Sequence, residues 1–356
     1  MSEHPLRRAD QIDALWLQQV LERSGALRSG RVVAVEMDVS ASSWSQIVKL
    51  TVGYSNDAVG DCPRRLLVKI CAGANAVFGQ GEVQYYRTDY AGDPLAPLPR
   101  CYAADYHAAS GDYSLVLEDL SATHAGDLPV TQEYAAAVAD AIARLHAPYW
   151  GSQRLARIGE APAGGEELDR YFAHVERGFQ PLCEWMSKSP RPEWPDWREA
   201  LQHIFTSYPN TMRERARVES GMTLVHGDLN PGNILSPRSG TGQVYLIDRQ
   251  PFDWSLRCWL GVCDLAYAMV LYWSPEQRIG LQQLMLRRYQ STLGDLGIEY
   301  DWGQLWWDYR LCVAQCAVHA VEWLVLPEDR EKRRELWTIQ LERSMAAFFE
   351  LECREL

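Results

Sequence analysis

Three oxygen-bearing side chains lie at the spacing that phosphoryl transfer needs. They sit in Leu224-Val-His-Gly-Asp-Leu-Asn-Pro-Gly-Asn-Ile-Leu235 and in the following Val244-Tyr-Leu-Ile-Asp248. Asp228 stands five residues before Asn233 and twenty before Asp248. Moving a phosphoryl group requires a carboxylate that orients a hydroxyl and takes its proton. It also requires hard oxygen ligands that hold magnesium against the phosphates of ATP. A Gly/Pro-containing loop with Asp228 and Asn233, beside a strand ending in Asp248, supplies all three.

The same chemistry needs a cation for the phosphate tail. In Leu66-Leu-Val-Lys-Ile70 the apolar pattern of a strand contains Lys69, whose charge needs a partner. Thirteen residues later Glu82 opens Glu-Val-Gln-Tyr-Tyr-Arg87. A lysine on a strand paired with a glutamate on a helix is a known way to hold the α- and β-phosphates.

The elements that must position these groups fall into two parts. After a helix over 10–23, with Ile12, Leu15, Trp16 and Val20 at helical spacing, come β-favouring runs at Arg31–Val39, Gln46–Tyr54 and Arg65–Cys71. A helix around 81–90 is broken off by Pro94, Pro97 and Pro99, and 113–118 is a further strand. The remainder is helical: 132–146 behind Thr131 as N-cap, then 166–187, 196–218, 259–273, 275–294, 303–325 and 329–352. A strand pair near 233–235 and 244–247 interrupts it. The expected class is α+β and bilobal, with a small β-rich N-lobe over 1–118 and a larger, mostly helical C-lobe over 119–356.

The 224–248 segment resembles the catalytic loop of the aminoglycoside phosphotransferase and choline kinase-like superfamily, whose pattern is H-G-D-x-x-x-x-N followed by I-D. The resemblance implies a protein-kinase-like fold, Asp228 as catalytic base, and Asn233 and Asp248 as metal ligands. It implies ATP and Mg2+ as cofactors, with Lys69 and Glu82 binding the nucleotide. Ser114-Leu-Val-Leu-Glu-Asp-Leu-Ser121 matches the strand-to-hinge crossing, so adenine would meet the carbonyl of Glu118 and the amide of Leu120. Ala125-Gly-Asp127, Ala143-Arg-Leu-His-Ala147 and Asp264-Leu-Ala-Tyr267 resemble the ecdysteroid-kinase-like and bacterial small-molecule kinase branches, and the likeness spans roughly 30–275. His226 and Asp264 read as supports of the segment.

There are departures from the pattern. The loop between the first two strands, Val39-Ser-Ala-Ser-Ser-Trp-Ser-Gln46, has no glycine. Ser42, Ser43 and Ser45 either donate to phosphates or sit in a plain β-turn. Gly227 stands where protein kinases governed by activation-loop phosphorylation carry an arginine able to pair with phosphate. Arg249 either screens charge at the transferring phosphate or pairs with a surface acid.

Composition narrows the partners. A net charge of -12 argues against nucleic acid, whose phosphates select basic surfaces. The acid excess follows length along the chain, so charge does not single out an acceptor. No apolar run is long enough to span a membrane, and MSEHPLRRADQ at the start has no secretory pattern, so cytoplasm is expected. The nine cysteines are scattered without a C-x-x-C pair and read as small core residues. Of the fourteen tryptophans, Trp254, Trp259, Trp273, Trp302, Trp306, Trp307 and Trp323 lie where related kinases bind acceptors; most are expected to pack, and one or two to line a pocket. The leading reading is a kinase for the hydroxyl of an antibiotic, aminoalcohol, sugar or natural product, working as a monomer or homodimer. A protein-kinase-like or nucleotide-binding regulatory protein, or a pseudokinase scaffold, is the alternative. Intact Lys69, Glu82, Asp228, Asn233 and Asp248 speak against a scaffold.

Overall fold

The computed structural model describes residues 5–41, 45–73, 79–188, 190–249, 252 and 254–356. Ser42 and Ser43, named above as phosphate contacts, lie outside the described residues. The chain divides into two compact units: 1–125 with 247–250, and 126–246 with 251–356.

The first unit is built on a five-stranded antiparallel sheet ordered Val32–Ala41, Gln46–Tyr54, Arg65–Cys71, Tyr113–Glu118, Cys101–Tyr106. Strand alternation explains its register. Val48, Leu50, Val52, Leu66, Val68 and Ile70 point into a core completed by Leu17, Val20 and Leu21 of the helix Ala14–Arg23. That helix starts later than expected because Asp13 caps it, its carboxylate accepting from the Trp16 amide at 2.7 Å. The central strand Arg65–Cys71 sets Lys69 opposite Ile47 on one side and Leu115 on the other.

One expectation for this unit is corrected and one strand is added. The helix over 81–90 is α-helical only at Gly81–Gln84 and widens into a π-helix at Tyr85–Asp89, where Tyr85 packs edge-to-face on Tyr86 and Tyr90. Cys101–Tyr106, to which the sequence reading assigned no element, is the edge strand beside Tyr113–Glu118.

The second unit is helical. Thr131 caps Gln132–His146, accepting from the Tyr134 amide at 3.1 Å. The predicted 166–187 helix is Gly165–Val175 and Phe179–Lys188 with a 3-10 turn between, and the last predicted helix is Pro327–Lys332 and Arg334–Glu350. The helix predicted over 259–273 begins only at Val262; Cys258–Leu260 is a strand paired antiparallel with Met222–Leu224. Ile234–Pro237 and Tyr245–Leu246 form the expected second strand pair. Val262–Tyr272 is almost wholly buried, and most of Trp302–Glu322 is buried as well. Among the described residues no helix is long and apolar enough to cross a membrane.

Candidate active site

In the first unit the sheet delivers Lys69 to two carboxylates. Its Nζ lies 2.8 Å from Glu82 Oε2 and 2.5 Å from Asp248 Oδ1. Glu82 is buried and also accepts from the Tyr113 hydroxyl at 2.8 Å. Burial alone would pull the lysine pKa down, but the two carboxylates outweigh it and the net shift is upward. Lys69 is therefore a fixed positive charge. The Asp248 side chain is 39% exposed, so it is the reachable member of the trio, and its backbone has φ of 65°, a left-handed conformation that aspartate tolerates. Arg249 is 1% exposed.

The hinge segment presents backbone. The Glu118 side chain is exposed and its amide donates to the Arg100 carbonyl at 2.9 Å. The Leu120 carbonyl accepts from Thr123 and His124, whereas the Leu120 amide meets no acceptor among the described residues.

In the second unit, Asp264 in the first turn of Val262–Tyr272 organises the loop that carries Asp228. Its carboxylate accepts from the amides of His226 at 2.7 Å and Gly227 at 2.8 Å, and contacts His146 Nε2 at 3.0 Å. The other ring nitrogen, Nδ1, lies 2.9 Å from the Tyr289 hydroxyl. Burial raises the Asp264 pKa, but His146 and the loop amides overcome this and hold it below the usual carboxylate range. His226 braces the next peptide, with Nδ1 accepting from the Asp228 amide at 3.3 Å.

The Asp228 carboxylate is held from several sides. Oδ1 accepts from the Tyr267 hydroxyl at 2.9 Å and from Asn230 Nδ2 at 3.1 Å; Oδ2 accepts from Asn233 Nδ2 at 3.1 Å. Asn233 Nδ2 also donates to the Asp228 carbonyl at 2.8 Å, which commits the amide nitrogen to this side. Among the described residues no donor meets its Oδ1. The turn Pro231–Asn233 is capped by Asn230, which accepts from the Gly232 amide at 2.9 Å. Gly126 lies against this turn so closely that a Cβ would come within 2.9 Å of Gly232 Cα and of the Pro231 carbonyl oxygen.

Beside Gly227 and Asp264 lies a cavity lined by Tyr171, Trp254, Trp259, Tyr267, Gln315 and His319. Trp254 stacks between His174 at 4.3 Å and Phe252 at 5.4 Å. Trp259 is fully buried and donates to Gln315. The other tryptophans singled out from sequence include structural ones: Trp273 packs near Tyr134, Trp302 lies under Arg287, and Trp323 under Arg333.

The structure thus brings Lys69, Glu82 and Asp248 together in one unit, and Asp228 and Asn233 together in the other. Sequence reading missed Tyr113, and it gave Tyr267 no contact with Asp228. Both are distant in sequence from the carboxylates they hold, so no local spacing marks them.

A β-sheet unit with a lysine–glutamate pair, followed by a helical unit with an aspartate loop, defines the kinase-like class of phosphotransferases. Residues 46–306 match the sequence profile of the phosphotransferase enzyme family, and the chain belongs to that family. Solved structures share its fold. One is a candidate aminoglycoside phosphotransferase from Ralstonia eutropha, at 13% identity and a TM-score of 0.56, with 96% of this chain and 98% of that chain covered. An aminoglycoside phosphotransferase from Alicyclobacillus acidocaldarius matches at 13% identity and 0.50, covering 93% and 96%. A choline/ethanolamine kinase family protein from Mesorhizobium loti matches at 13% and 0.50, covering 90% of each. No curated protein matches this sequence significantly.

Proposed function

We propose that this phosphotransferase uses ATP and Mg2+ to phosphorylate a hydroxyl of a small molecule such as an antibiotic, aminoalcohol, sugar or natural product. Residues 1–118 form the nucleotide-clamping lobe, and 119–356 carry the catalytic loop and the acceptor site. The observation that carries this reading is the Asp228 carboxylate, partly exposed and held by three donors on a loop that Asp264 fixes. A structural acid would not need that much orientation. A base does.

Asp228 orients the acceptor hydroxyl for attack on the γ-phosphorus and accepts its proton as the new O–P bond forms and the bond to ADP breaks. Lys69, kept charged by Glu82, holds the α- and β-phosphates. The Glu118 carbonyl and Leu120 amide take the adenine, which the open Leu120 amide supports.

The donor set fits magnesium. Among the described residues no group of three or more His, Cys, Asp or Glu gathers to cage a metal. Magnesium on a triphosphate needs only one or two protein oxygens, of the hard kind that Asp248 and Asn233 Oδ1, whose Nδ2 is engaged by Asp228, offer. When bound, the ion neutralises charge on the phosphates.

The direct trial supplies ATP and Mg2+ with choline, ethanolamine, streptomycin, spectinomycin and glucose, and follows ADP release. Acceptor-stimulated release above hydrolysis is expected; release that no acceptor stimulates across a wider panel of alcohols contradicts the reading.

A further inference from the structure

We propose that Tyr267 is a positioning residue for phosphoryl transfer, its hydroxyl aiming the Asp228 carboxylate at the acceptor. The inference rests on the reading of Asp228 as the base.

A carboxylate on a short side chain still rotates about two bonds, and its two loop partners, Asn230 and Asn233, rotate with the loop. Tyr267 comes from a different element. It lies three residues after Asp264 on Val262–Tyr272, so both side chains leave the same helix face. One helix therefore grips the loop twice. Asp264 takes the backbone amides of His226 and Gly227, and Tyr267 gives its proton to Asp228 Oδ1 at 2.9 Å. With Asn233 on Oδ2, these donors fix the plane of the carboxylate as well as its place.

The tyrosine itself is held. Its buried ring meets His319 edge-on at 5.4 Å and lies 5.7 Å from Tyr272. Burial and the Asp228 charge push its pKa well above 10, so it remains a donor at any working pH. The ring also lines the cavity shared with Tyr171, Trp254 and His319. Tyr267 thus links the wall of that cavity to the catalytic carboxylate.

A double-mutant cycle tests this on the full chain. ADP release is measured with ATP, Mg2+ and the pooled panel of choline, ethanolamine, streptomycin, spectinomycin and glucose, for wild type, Tyr267→Phe, Asp228→Ala and the double variant. Tyr309→Phe removes another buried hydroxyl, one bonded to Gln282, and serves as the packing control. Tyr267→Phe should slow the wild type roughly ten- to a hundredfold, the worth of a hydrogen bond to a charged group. It should change the Asp228→Ala background less than about twofold. A loss of equal factor in both backgrounds, or no loss in either, overturns the proposal, because a stability effect does not depend on the base. Asp228→Ala at wild-type rate would instead overturn the reading of the base. Should the phenylalanine variant not fold, Tyr267→Met, whose flexible side chain repacks, enters the same cycle. Crystal structures of wild type and variant give the readout free of turnover. A reoriented Asp228 carboxylate supports the proposal, and an unmoved one overturns it.

Discussion

At the scale of residues, two buried carboxylates hold the groups that the proposed chemistry uses. Glu82 is 2% exposed and Asp264 is fully enclosed, yet neither is the group that reaches out. Glu82 keeps Lys69 charged, and Asp264 keeps the Asp228 loop in place. Lys69→Ala should therefore raise the KM for ATP by roughly tenfold or more, the worth of charge-assisted bonds to phosphate. Initial-rate kinetics in ATP check it, and unchanged nucleotide kinetics would reject the clamp. Asp264→Asn bears on pH. The Asp264 pKa is lowered on folding, so its stabilisation is complete above the unfolded value near about 3.9 and is lost as pH falls through the lower native value. Melting temperature against pH should accordingly lose part of its acid slope in Asp264→Asn, which acid titration followed by circular dichroism reads.

At the scale of elements, what was legible in the sequence is what local chemistry determines. A β-favouring apolar run marks Arg65–Cys71 to the residue, and Thr131 marks the start of Gln132–His146. Cys101–Tyr106 escaped because its two alanines and an aspartate have weak strand preference; pairing with Tyr113–Glu118 makes it a strand. Cys258–Leu260 escaped because three apolar residues leading into a helix carry no period of their own. Of the candidate site, Lys69, Glu82, Asp228, Asn233 and Asp248 were proposed from spacing and resemblance, and Lys69 meets Glu82 and Asp248 while Asp228 meets Asn233. Their partners were not: Tyr113 is 31 residues from Glu82, Tyr267 is 39 from Asp228, and His146 is 118 from Asp264. Close packing between elements is equally hidden. Gly126 is a spacer for the Pro231–Asn233 turn, and Gly126→Ala should force that turn to move at a cost of roughly 1–3 kcal/mol. Thermal melting together with turnover checks it; wild-type values for both would show that the turn yields freely.

At the scale of the whole molecule, the family match runs from 46 to 306 and so takes in residues of both compact units. The helical unit carries its own pH sensitivity. His319, half-buried beside Tyr171 and Tyr267, has its pKa lowered from 6.5 to about 4 because burial disfavours imidazolium. Between those values the unfolded chain binds the extra proton, so stability is full above about 6.5 and falls as pH drops toward 4. His319→Gln should flatten that stretch of the stability curve, as urea unfolding at pH 7 and pH 5 would reveal.

The proposed chemistry depends most on Asp228 taking the acceptor's proton. The measurement that reaches this most directly compares wild type with Asp228→Asn for transfer of labelled γ-phosphate from ATP to an accepted alcohol, with ADP affinity determined in parallel. Transfer should fall by several orders of magnitude while ADP binding stays within about twofold. An asparagine variant that still phosphorylates at near the wild-type rate would contradict the account.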